Sequence, residues 1–215
     1  LAHVALHEGV HPQSLRALAP ATEWNFYIDE TGSHFSIDSQ ELNESDQKLG
    51  RVVALALPDY HNLPALKKPT HAIDLSHKEI QQLLKVLTQS HIGLLGATTK
   101  TDLLNHNWIS SIHQLIRWAI LLLPINKSQP TKIRIHIEQR DQYNRDGQLT
   151  ALEEVLNNDL KQIAPERFAN TTVSLHIMDK NNPYNGYVDV IANCWGSRDK
   201  TKRKMLTRTR WLGHC

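Results

Sequence analysis

Apolar positions recur along this chain with two periods, and the changes of period mark its elements. Ile133, Ile135 and Ile137 alternate with Arg134, His136 and Glu138, the period of two expected of a strand with one buried face. Residues 172–178 read as a further strand, and so do residues 51–57, which Pro58 closes. The run 24–32 is aromatic and β-branched, ends in Asp29 and Glu30 and turns at Gly32, so it reads as a buried strand carrying carboxylates to a sheet edge. Residues 33–38 alternate polar and apolar, and the turn at Gly32 makes them the second arm of a hairpin.

Between these runs the period lengthens to that of a helix. Ser76 and Glu79 form a capping box in which each side chain satisfies a free amide of the first turn. Ile80, Leu83, Leu84 and Leu87 follow on one face, giving an amphipathic helix to about residue 89. A second helix, over about 103–122, places Trp108, Ile112, Leu115, Ile116, Ala119 and Ile120 together and stops at Pro124. A third carries Leu149, Leu152, Val155, Leu156, Leu160 and Ile163 as far as Pro165, and the last is expected over 187–195, after the break at Asn181, Asn182 and Pro183. Residues 92–97 are a short apolar piece open to either type, because Gly93 and Gly96 weaken both. The expected fold class is therefore α/β, a mixed five-stranded sheet with helices on its faces.

Composition narrows the picture. At 215 residues, 40% hydrophobic and 21% charged, the chain suits one ordinary globular domain and neither a disordered nor a fibrous protein. Its longest apolar run, 118–125, contains Pro124 and falls far short of the roughly 20 residues that span a bilayer, so no membrane segment is expected. No basic stretch leads into an apolar core near the start, as a signal peptide requires. Cys194 and Cys215 cannot build a disulfide framework, which suits a reducing, cytoplasmic location. The expected organisation is a leader over 1–22, a domain over 23–197 and a basic segment over 198–215. The chain starts at Leu1, and the expectation is a piece of a longer parent chain whose remainder is a partner.

The net charge of +2 selects no partner, but its distribution does. Arg198, Lys200, Lys202, Arg203, Lys204, Arg208 and Arg210 crowd the C-terminal segment, with Asp199 the single acid among them. Such a patch suits a phosphate backbone, of DNA or RNA, as well as it suits a solvated tail. Trp211 lies within it and is a candidate for stacking on a base, whereas Trp24, Trp108, Trp118 and Trp195 fit core positions. His7, Glu8 and His11 match the His-Glu-x-x-His pattern of zinc peptidases, but Gly9 and Pro12 weaken the helix that chemistry needs. With 13 histidines in the chain a chance match is easily met, and the zinc reading is set aside.

The acids are more informative. Hard divalent cations need several oxygen ligands converging from separate elements. Asp29, Glu138 and Asp189 each stand at the end of an apolar strand or at a helix start. Tyr27 and Asp29 share a face of one strand, and His136 and Glu138 share a face of another, so pairing those strands brings the acids to one edge. The alternative for each is structural: a turn at Asp29, an ion pair of Glu138 with Arg140, a helix cap at Asp189.

The residues from Tyr27 through Ile28, Asp29, Glu30 and Thr31 to Gly32 resemble the opening Asp-Glu-Ser-Gly signature of the domain-of-unknown-function 3800 family, with threonine for serine. His71 and Asp74, ahead of a helix, are similar to that family's histidine-containing segment. Met178 to Pro183, followed by Gly186, Tyr187, Val188 and Asp189, resemble its closing strand-to-helix pattern. The resemblance covers residues 24–195 and implies an RNase H-like fold and a nuclease, hydrolysing phosphodiesters with magnesium or manganese (Mg2+ or Mn2+). By position, Asp29, Glu138 and Asp189 would be its catalytic metal ligands, with Glu30 and Asp141 as second choices. Glu30 is expected on the opposite face unless the strand bends. Tyr187 and Val188 are bulkier than the residues usual before the last aspartate. The alternative is a catalytically degenerate RNase H-like module that binds nucleic acid or protein within a larger protein. His71 is either a metal or phosphate contact or a plain loop residue, and Cys194 is a small core residue.

Overall fold

A computed structural model of the chain describes residues 15, 18–31, 49–100, 106–138, 147–179, 181–197 and 199–208. Five strands form one sheet: β1 (Glu23–Thr31), β2 (Leu49–Pro58), β3 (Gly93–Lys100), β4 (Thr131–Ile137) and β5 (Thr171–Ile177). Their order across the sheet is β3-β2-β1-β4-β5. β1 runs antiparallel to β2, and β2 to β3, while β4 runs parallel to both β1 and β5. The helices are α1 (His77–Thr88), α2 (His106–Leu122), α3 (Gln148–Ile163), the single turn α4 (Pro165–Phe168), α5 (Asn185–Gly196) and α6 (Lys200–Arg208), with a 3-10 turn at Ala72–Asp74. This order and polarity make the fold a mixed α/β sheet of RNase H-like type, as expected.

The alternation of β1 fixes which helices lie on which side. Trp24, Phe26 and Ile28 join Ile133, Ile135 and Ile137 in a core filled by Ile112, Leu115, Ile116, Ala119 and Ile120 of α2 and by Leu156 and Leu160 of α3. Tyr27 faces the other way, with Val53, Leu55 and Leu57, into a core made by Ile80, Leu84 and Leu87 of α1 and by Val188, Ile191 and Trp195 of α5. Burial of this kind, at about 25 cal/mol per Å² of apolar surface, is what holds the layers together. The capping box at Ser76 forms as expected: Ser76 Oγ accepts from the Glu79 amide, and Glu79 reaches back to the Ser76 amide at 2.8 Å.

Several details differ from the expectation. The apolar piece at 92–97 is strand β3, and its glycines have a packing reason. A Cβ on Gly96 would lie 2.4 Å from Cζ3 of Trp195, so the strand lets an α5 ring rest on its backbone. The expected hairpin arm at 33–38 lies outside the described residues, and β2 is the direct neighbour of β1. Trp118 is 51% exposed, because it sits about 200° round the helix from Ile116 and so faces away from the core. Val155 and Ile163 are likewise exposed on α3. The segment expected as a basic tail is in part the helix α6, whose Met205 and Leu206 are buried with the residues of α1 and α5.

The outer edge of β5 is closed by side chains of α3. Asn157 Nδ2 donates to the Val173 carbonyl at 2.9 Å and its Oδ1 accepts from the Val173 amide at 3.0 Å. Glu153 Oε2 accepts from the Leu175 amide at 2.9 Å. A strand edge occupied in this way is a poor template for pairing with another chain.

Gly96→Ala should destabilise the domain by roughly 1–3 kcal/mol, the usual effect of overpacking, although alanine outranks glycine in an open strand. Urea unfolding midpoints of the two proteins measure it, and a higher midpoint for the alanine variant would contradict the close approach of Trp195.

Candidate metal centre

The parallel register of β1 on β4 sets Tyr27 opposite His136 and Ile28 opposite Ile137. One step further, Asp29 and Glu138 leave the ladder side by side. Carboxylate oxygens of Asp29, Glu30 and Glu138 all lie within 4.8 Å of one another. Asp29 and Glu138 are thus brought together as expected from their shared faces. Glu30, a second choice expected on the opposite face, belongs to the same group and is only 8% exposed.

Burial comes first among the causes that push the Asp29 carboxyl well above the usual carboxylate range, followed by the charges of Asp189, Glu30 and Glu138. The Glu30 amide donates to Asp29 Oδ1 at 2.8 Å, which acts the other way without offsetting them. Such a group of oxygens suits a hard cation: its charge would relieve the repulsion, and its preferred ligands are carboxylates.

Asp189 approaches from α5, near enough to raise the proton affinity of Asp29, but its oxygens are not among the three convergent carboxylates. Its Oδ2 accepts from the Ala72 amide at 2.9 Å and lies 3.7 Å from His71 Nδ1. His71 itself is 57% exposed. The bulky residues ahead of Asp189 do not prevent α5 from docking. Tyr187 is 2% exposed and donates its hydroxyl to the Pro64 carbonyl at 2.9 Å, and Gly186 lies where a Cβ would come within 2.7 Å of Leu66.

Next to the acids, on the same face, runs a row of rings. Tyr27 and His136 stack at 4.8 Å between centroids, and His136 and His176 at 5.6 Å. Tyr184 tilts against Tyr27 at 5.6 Å, and His61 meets Tyr184 edge-on at 5.2 Å. Burial, with His176 and Arg134 nearby, lowers the His136 pKa to about 4, so the ring is neutral at neutral pH. Sequence reasoning did not single out this row. Its signal was the shared register of Tyr27, His136 and His176, visible only once the strand order is known.

The remaining candidates are scattered. Lys200, Arg203 and Lys204 are exposed on α6, while Lys202 is half-buried and donates to Asn193 Oδ1 at 3.0 Å. Arg198, Arg210, Trp211, Asp141 and the His7 to His11 pattern lie outside the described residues, as does the side chain of Arg208. Cys194 is buried and its thiol is pushed up to about 11 by that burial, as suits a core residue. Among the described residues no helix is long and apolar enough to cross a membrane. No family model matches the chain, and no curated protein matches it.

In chelator, Asp29 should make stability fall as pH rises. The unfolded chain gives up this proton first, in the ordinary carboxylate range, and the folded chain holds it until its raised pKa is passed. Asp29→Asn removes that loss and should be the more stable protein at neutral pH, with the two converging in acid. His61, His113 and His136 titrate in the opposite sense, but both proteins carry them, so the difference in urea midpoint across the pH range isolates Asp29.

Proposed function

We propose that this chain is a divalent-metal-dependent nuclease of RNase H-like type, acting on DNA or RNA. The observation that carries the reading is the convergence of Asp29, Glu30 and Glu138 within 4.8 Å, from two parallel strands, around a carboxyl whose proton affinity is already raised by burial and like charge. Asp29, Glu30 and Glu138 would hold the cation, and Asp189 stands as a further acid nearby. Bound magnesium or manganese would supply the Lewis acidity that polarises a phosphoryl oxygen and activates a water. The protein's own part is to fix the oxygens at the ends of paired strands, so that no large rearrangement precedes binding. The exposed Lys200 and Lys204 of α6 suit the backbone of the substrate, and a cytoplasmic setting suits the chemistry.

One observation favours a second reading, an RNase H-like module that binds without cleaving. Asp189 is engaged by the Ala72 amide, which leaves three convergent acids in place of four.

Cleavage of a labelled panel of single-stranded, double-stranded and hybrid nucleic acids in manganese separates the two. The nuclease reading expects the intact chain to cleave at least one member and Asp29→Asn to lose at least about 100-fold, since even groups that merely orient metal ligands are worth 10–100-fold. An undiminished rate in Asp29→Asn removes the assignment, and silence across the panel from a folded, manganese-binding protein favours the binding module.

A further inference from the structure

The sheet is covered unequally. On the side of α5, Val53, Leu55 and Leu57 of β2, Leu94 of β3 and Tyr27 of β1 are buried, but β4 and β5 present half-exposed or exposed residues there. Lys132, Arg134, His136 and Glu138 share that open face of β4, and Thr172, Ser174 and His176 share it on β5. From the start of β4 to its end the face therefore passes from cationic side chains, through rings, to the candidate metal centre.

The rings are held in place. His136 Nε2 lies 3.2 Å from Asn25 Oδ1, and His176 Nε2 lies 3.0 Å from Ser174 Oγ. Tyr27 backs His136, which backs His176, and His176 is exposed at the last strand of the sheet. The ring row precedes the acids by two residues on β1 and β4, or about 7 Å at roughly 3.3 Å per residue. That separation is near the reach of one nucleotide. Arg134 pairs with Glu23, so its charge is partly met, while Lys132 is exposed.

We propose that the open face of β4 and β5 is a track for single-stranded nucleic acid, on which His176, backed by His136, stacks a base and Lys132 takes a backbone phosphate while the strand runs on to Asp29 and Glu138. This rests on the nuclease reading of those acids and adds the strandedness of the substrate. Rings set on an open sheet can stack an unpaired base, because every base presents a π face. A duplex keeps its bases inside its own stack and offers this row nothing to hold.

The test is binding of a labelled thymidine oligonucleotide of about 12 nucleotides, within the usual site size for such surfaces, to the full chain in chelator. Fluorescence anisotropy should give tighter binding of the oligonucleotide than of a duplex of equal length. His176→Ala should weaken it about tenfold or more, and His176→Phe should restore it, because a ring and not a proton is required. Lys132→Gln should lower the slope of log affinity against log salt by about one. His176 is exposed, and thermal unfolding of each variant checks that the fold is intact. No binding by the wild type, a preference for duplex, or equal binding by wild type and His176→Ala overturns the track. Asp29-dependent cleavage with an indifferent His176→Ala would leave the nuclease reading standing without it. Ring-dependent binding with no cleavage in manganese would do the reverse.

Discussion

The parallel pairing of β1 with β4 is the constraint on which the rest depends. It sets Tyr27 against His136 and, two residues on, brings Asp29 beside Glu138 and the buried Glu30. Like charges so close in a desolvated place oppose folding unless a proton or a cation relieves them. The raised proton affinity of Asp29 is the sign of that opposition. The apolar layers on both faces of β1 must outweigh it, and the strand that carries the acids is itself packed into the core through Trp24, Phe26 and Ile28. Stability and the candidate site thus draw on one strand in opposite senses.

Covering the sheet unequally follows from the same arrangement. α5 must lie over β1 and β2 to bring Asp189 near Asp29, and Gly96 and Gly186 let it approach closely on either side. Among the described residues, a helix placed there leaves the matching face of β4 and β5 half-exposed or exposed. The sequence of those strands agrees, with lysine, arginine, histidine and serine where β2 has valine and leucine. Polar residues on an uncovered sheet face need no special explanation, but rings stacked in register across three strands and fixed by hydrogen bonds are ordered beyond what solvation requires.

Much of this was legible in the residues. The isoleucine alternation at 133–137 and the aromatic run at 24–31 form strands, and their shared faces bring Asp29 beside Glu138 once the two strands pair. Long-range contacts were harder to read. Gly93 and Gly96 look like strand breakers until the ring of Trp195 and the side chain of Leu15 are seen to occupy the space a Cβ would need. The strict alternation that places Asp29 on one face puts Glu30 on the other, yet a carboxylate oxygen of Glu30 lies within 4.8 Å of those of Asp29 and Glu138. Trp118 is expected at a core position, whereas its angular position on α2 turns it to solvent. The ring row needed the strand order β1-β4-β5, which no local pattern contains.

Asp189 bears most directly on how the centre works. A carboxylate that accepts from the Ala72 amide and lies close to His71 is partly satisfied without any cation, unlike Asp29, whose single amide contact is outweighed by burial and by three neighbouring acids. The two aspartates therefore differ in what a cation would offer them. Asp29 would gain relief of a repulsion, whereas Asp189 already has a partner at Oδ2, so a cation would offer it less. On the proposed reading Asp29, Glu30 and Glu138 would hold the cation, with Asp189 contributing less. Because the amide that holds Asp189 belongs to the 3-10 turn ahead of α1, release of that carboxylate requires the turn to give up a contact. The segment around His71 is thereby coupled to the fourth acid of the centre, whether or not the histidine itself touches substrate.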